Sequence, residues 1–207
     1  MKFGVITFPG SNCDEDMVYV LESLFNQKVE RLWHKDADLK GVDFVILPGG
    51  FSYGDYLRSG AICNGFQILC ESKLLPGTLL HNNNQKFICK NIYLRADNNS
   101  SIINAHVDTN QALKIPIAHG EGRYFASDET IAELNANDQI IFRYCDADGN
   151  ITKEANPNGS LENIAGVCNA GKNVFGMMPH PERAADAELG NVDGALLFES
   201  ILGLIKA

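Results

Sequence analysis

The amino-acid sequence predicts an α/β fold, a parallel sheet covered by helices, and three observations carry that reading. The first half alternates short apolar runs with segments of helical periodicity. The runs at 3–8 and 42–47 end on Pro9-Gly10 and Pro48-Gly49-Gly50, the punctuation expected of strands buried in parallel sheets. The 207 residues, 45% of them hydrophobic, suffice for one larger domain with a real core.

The elements follow in order. Residues 3–8 read as a strand. Residues 14–25 carry Met17, Val18, Leu21, Leu24 and Phe25 at helical spacing behind acidic residues in the first turn. Residues 29–33 and 42–47 read as strands. Phe66, Leu69, Cys70 and Leu74 form another helical stripe, stopped by Pro76-Gly77. The second half is richer in strands, expected at 87–94, 102–107, 113–118, 139–145, 164–168 and 174–178. Asp146-Ala147-Asp148-Gly149-Asn150 is a turn, 127–135 a short helix and 192–205 a closing helix. There is no repeat, low-complexity tract or linker, so 1–207 reads as a single domain.

Charge excludes some partners. With 17 basic against 26 acidic residues, the formal net charge of -9 argues against nucleic acid and anionic membranes, which would repel the chain. No window approaches the roughly 18 apolar residues of a membrane span. The apolar run at the N-terminus is too short for a secretory signal. A cytoplasmic protein is expected.

Six cysteines (Cys13, Cys63, Cys70, Cys89, Cys145, Cys168) are spread along the chain without a Cys-x-x-Cys pair. That speaks against both a disulfide framework and a zinc site, so no metal is expected and most thiols should be small core residues. Cys63 differs. In Ala61-Ile62-Cys63-Asn64-Gly65-Phe66-Gln67 it stands directly before a helix with small neighbours, as a nucleophile elbow requires. A helix N-terminus there would lower the thiol pKa and offer N–H groups to a developing oxyanion. The alternative is a buried helix cysteine.

Met178-Pro179-His180-Pro181-Glu182-Arg183 follows an expected strand. His-x-Glu between prolines supplies an imidazole and a carboxylate to orient it, although a surface loop would look the same in isolation. Cys63 with His180 and Glu182 makes up nucleophile, base and orienter. Pro48-Gly49-Gly50 lies at the carboxyl end of a strand, where open α/β sheets bind ligands, and lacks the further glycines of a dinucleotide fingerprint. Cys13 is a weaker nucleophile candidate, opposed by Asp14 and Asp16. His119-Gly120-Glu121-Gly122 suits a loop bordering a site or a plain turn. His34, His81 and His106 have no partner pattern and read as structural or surface residues.

These motifs together resemble the class I (triad) glutamine amidotransferases, and most closely the branch formed by the glutaminase subunits of phosphoribosylformylglycinamidine synthases. The resemblance runs from Phe8-Pro9-Gly10-Ser11-Asn12-Cys13-Asp14 through the run from Leu47 to Arg58 and Ile62-Cys63-Asn64-Gly65-Phe66-Gln67. It continues in Leu74-Leu75-Pro76-Gly77, Ala118-His119-Gly120-Glu121-Gly122 and the run from Gly176 to Arg183. It implies a flavodoxin-like α/β fold: an open, mostly parallel central sheet, helices on both faces and extra antiparallel strands. It also implies Cys63, His180 and Glu182 as catalytic triad, Gly50 and Asn64 as oxyanion hole, and Gly49 and Gln67 as glutamine-binding residues. The expected partners are a large synthetase subunit and a small bridging subunit of the synthase. No cofactor is expected in this chain, because ATP and magnesium would be used by the synthetase.

One departure stands out. Only 12 residues separate Gly50 from Cys63, and the position two before Cys63 is Ala61 rather than Gly. A right-handed crossover needs about a dozen residues of helix and about five of returning strand. The single domain thus lacks about one helix and one strand near residues 60–62. Either the chain carries a true deletion, or the natural chain holds a segment here that this sequence passes over. The second is favoured, because both flanks match the family while their join makes no structural sense. Two other readings stay open: a catalytically silent module that only assembles with the synthetase, and a different cysteine hydrolase such as a peptidase or deglycase-like relative.

Overall fold

A computed structural model describes residues 1–50 and 65–203. The chain divides into two compact units, Met1–Ile68 and Leu69–Ala207.

The first unit is a parallel sheet with helices between its strands. Strand β1 (Lys2–Thr7) lies between β2 (Lys28–Trp33) and β3 (Phe44–Ile46), both parallel to it. Phe3 and Val5 on β1, with Leu32 on β2, are buried, as suits a central strand whose alternate side chains meet the covering helix. Helix α1 (Asp14–Tyr19) carries the expected acidic first turn and buries Met17 and Val18. The expected continuous helix 14–25 instead widens after Tyr19 into a π-helical segment, Val20–Leu24, with Phe25 N–H donating to the Val20 carbonyl. Helix α2 (Gly65–Glu71) starts at the end of this unit.

The second unit supplies the antiparallel strands. A five-stranded sheet runs in the order β10-β9-β8-β5-β6, from β5 (Ile88–Ala96), β6 (Leu113–His119), β8 (Ile140–Cys145), β9 (Ile164–Cys168) and β10 (Phe175–Met177). Every residue of β8 and β9 is buried, and Phe142 and Tyr144 are among the largest fully buried side chains. Two further strands, β4 (Thr78–His81) and β7 (Glu121–Phe125), pair antiparallel and were not foreseen from the sequence. Helix α3 (Asp128–Ala136) opens on Ser127, whose Oγ accepts from Thr130 N–H at 3.2 Å. Helix α4 (Ala195–Gly203) is shorter than the expected 192–205, and the residues beyond 203 lie outside those described.

Residues 102–107, expected as a strand, form consecutive turns. The cause is local side-chain competition for the backbone. Asn99 Nδ2 donates to the carbonyls of Asn104 and Val107, both at 2.7 Å, and Asn104 Oδ1 accepts from Ser101 N–H. Ser200 on α4 then accepts from His106 N–H and donates to Ile102 O, each at 3.0 Å. With these groups engaged, the segment has no ladder to join. Among the described residues, no helix is long and apolar enough to cross a membrane.

Candidate active site

The candidate catalytic residues fall in both units. In the first, β3 runs out into Pro48-Gly49-Gly50, and Gly50 takes φ of 135°, a region that favours glycine. Gly65 N–H donates to Pro48 O at 3.1 Å. A β-carbon at Gly65 would overlap the Leu47 carbonyl, so only glycine lets the start of α2 press so closely on the end of β3. The candidate oxyanion glycine and the first turn after the expected nucleophile are thus held together. Gln67, an expected substrate contact, is buried on α2 at 6% exposure. Cys63 and Asn64 themselves lie outside the described residues.

In the second unit, β10 delivers the chain to His180. Its backbone N–H donates to Pro116 O of β6 at 2.8 Å. Pro181 opens a 3-10 turn, Pro181–Ala184, that returns the Glu182 side chain beneath the imidazole. His180 Nδ1 and Glu182 Oε1 stand 2.7 Å apart, with Glu182 buried and His180 nearly so. A carboxylate accepting from Nδ1–H leaves Nε2 unprotonated, the state a general base requires. His180 and Glu182, paired from their spacing alone, are brought into contact.

The remaining candidates separate cleanly. Burial pushes the Cys70 thiol up to about 12 and the Cys145 thiol up to about 11, and raises that of Cys168. Such thiols stay protonated and chemically quiet. Cys13 is buried at the N-cap position of α1 without a side-chain capping bond, its Sγ 3.6 Å from Asn12 Oδ1. His81 is exposed and faces Glu121 at 3.1 Å, and His34 packs against Phe8 and Trp33, so both are surface or structural residues. His106 is exposed.

Of the two readings open for the His119 run, a loop and a turn, the structure shows the turn. The Ala118-His119-Gly120-Glu121-Gly122 run is not a free loop but a tight corner between β6 and β7. His119 is 5% exposed, with Nδ1 3.0 Å from Oδ1 of the fully buried Asn82. Burial first, and then the charge of His180, hold its pKa down to about 4. Asn82 carried no recognisable signal, since the run Asn82-Asn83-Asn84 beside an unforeseen strand reads as a turn.

The family model for the CobB/CobQ-like glutamine amidotransferase domain matches residues 1–62 and 61–194. The phosphoribosylformylglycinamidine synthase subunit PurQ of Koribacter versatilis is 50% identical over 226 aligned positions, covering 98% of each chain. PurQ of Acaryochloris marina is 48% identical over 230 positions, covering 100% of this chain and 98% of its own. That alignment is 23 positions longer than the 207-residue chain, which therefore faces gaps. A chain in the structure of PurLQS from Thermotoga maritima superposes with a TM-score of 0.81 at 38% identity, covering 99% of this chain and 98% of that one. Full-length likeness in sequence and fold leads to one conclusion: this chain belongs to the CobB/CobQ-like glutamine amidotransferase family.

Proposed function

We propose that this chain is the glutaminase subunit of phosphoribosylformylglycinamidine synthase in purine biosynthesis, acting in the cytoplasm. The observation that carries the reading is the 2.7 Å His180–Glu182 pair at the exit of β10, in a family of glutamine amidotransferases. Cys63 Sγ adds to the side-chain amide carbon of glutamine, giving its proton to His180 Nε2. Gly50 and Asn64 N–H groups stabilise the oxyanion, while Gly49 and Gln67 help to hold the substrate. The intermediate collapses with the proton of His180 passing to the departing nitrogen, leaving ammonia and a γ-glutamyl thioester. Water then attacks, giving its proton to His180, and glutamate leaves as the thiol is restored.

Ammonia passes to the large synthetase subunit, with the small subunit bridging the two. ATP and magnesium serve that partner, and this chain takes neither. The names PurQ and PurLQS among its relatives support this assembly.

A second reading is favoured by one observation. The 12-residue span from Gly50 to Cys63 has no room for the crossover, and the family match itself breaks at 61–62. If the helix and strand are truly deleted, the domain is a silent module retained for assembly. Reconstitution with both partner subunits separates the readings. Glutamine-driven synthesis with glutamate release, lost in Cys63→Ala while added ammonia still drives synthesis, supports the glutaminase. Synthesis from ammonia alone, with no inactivation by an alkylating glutamine analogue, supports the silent module.

A further inference from the structure

His119 is buried without using all of its hydrogen-bonding capacity. Both hydrogens of Asn82 Nδ2 are taken, one by Lys86 O at 2.8 Å and one by His119 O at 2.9 Å. Asn82 Oδ1 is therefore the acceptor facing the ring, and His119 Nδ1 carries the proton. Asn82 N–H also donates to Gly120 O at 2.9 Å, which ties the corner to this one fully buried amide. A β-carbon at Gly122 would overlap the imidazole, so the ring is seated on bare backbone.

With Nδ1 protonated and the ring neutral, Nε2 is a lone-pair acceptor. It is fully buried, and no group among the described residues donates to it. A buried acceptor left unsatisfied loses its hydration with no compensating bond, so its retention calls for a ligand. His180, whose backbone is hooked to the same strand at Pro116, lies near enough for its charge to oppose protonation of His119.

We propose that His119 is a second histidine of the glutaminase site, its Nε2 accepting a hydrogen bond from the small N–H or O–H donor handled at His180, ammonia or water. The proposal rests on the reading of His180 as acid and base. The Nε2 of His119 holds no proton to give. It binds departing ammonia without converting it to ammonium, so the product stays nucleophilic.

The test combines a spectroscopic readout that needs no turnover with a kinetic one. In the 15N-histidine-labelled full chain, His119 shows a proton on Nδ1 and a neutral ring at pH 7. Ammonium chloride is added at pH 9.5 against sodium chloride of equal ionic strength. A saturable upfield shift of the Nε2 resonance identifies ammonia as the donor. A resonance already in the hydrogen-bonded range and unmoved by ammonia identifies water. A free-acceptor resonance unmoved by ammonia, or a proton on Nε2, overturns the proposal. In the reconstituted complex, His119→Phe lowers kcat for glutamine hydrolysis about tenfold, one hydrogen bond's weight, with KM unchanged. His119→Gln, which keeps an acceptor oxygen, recovers most of it. Packing alone predicts the reverse order, and that order overturns the proposal. If the unsubstituted complex hydrolyses no glutamine, the function reading fails while the nitrogen spectra still decide this one.

Discussion

His180 Nδ1 and Glu182 Oε1 meet at 2.7 Å across a single intervening residue, Pro181, with the carboxylate buried at 5% exposure. Proline sets the backbone φ, so the turn that joins the two side chains is built into the covalent chain. A buried carboxylate beside Nδ1 favours the tautomer with Nε2 unprotonated and, on the proposed mechanism, steadies the imidazolium formed during turnover. Glu182→Gln keeps the shape and removes the charge. Its kcat for glutamine hydrolysis should fall by about 10²-fold or more with a small change in KM, measured by glutamate release in the complex.

The span before Cys63 has a direct physical test. The mass of the sequence is 22.7 kDa. A protein purified from its source that has this intact mass carries a true deletion, and weak or absent glutaminase activity should accompany it. A chain heavier by roughly seventeen to twenty residues contains the missing helix and strand, and full activity is expected.

Stability should fall in mild acid because of His119. Its folded pKa of about 4 lies below the usual 6.5, so between these values the unfolded chain binds a proton that the folded one refuses. Stability therefore rises with pH across pH 4 to 6.5, and the contribution is fully present above 6.5. The loss on acidification approaches about 3 kcal/mol. Urea unfolding of the parent chain and of His119→Gln, compared from pH 7 to pH 4.5, should show a steeper decline for the parent. Parallel pH profiles would contradict the neutral buried ring.

Arg143 on β8 anchors the second unit by charge. Its Nε pairs with Asp97 at 3.0 Å, and one terminal nitrogen reaches Glu162 Oε2 at 3.1 Å and Glu162 O at 2.8 Å. The other donates to Asn135 Oδ1 at 2.7 Å. Lysine has neither the planar fork nor five donors. Arg143→Leu should cost about 2–3 kcal/mol, or roughly 5–10 °C in Tm, and Arg143→Lys a smaller share. Thermal unfolding by circular dichroism reads both.

The sequence by itself determined the α/β class, most strands, the helix start at Ser127 and the pairing of His180 with Glu182. These depend on periodicity, capping and spacing, which act over a few residues. It also exposed the short span before Cys63, because crossover geometry sets a minimum length. Tertiary structure decided what non-local contacts control. The turns at 102–107 replace a strand because Asn99, Asn104 and Ser200 occupy backbone groups across distances no local pattern reports. The pair β4 and β7 forms because Leu79 and Tyr124, far apart in sequence, bury each other's neighbourhood in register. Most of all, the tautomer of His119 depends on Asn82, 37 residues away, and its neutral state on burial. Spacing brings together residues two or three apart, whereas burial decides which histidine stays uncharged.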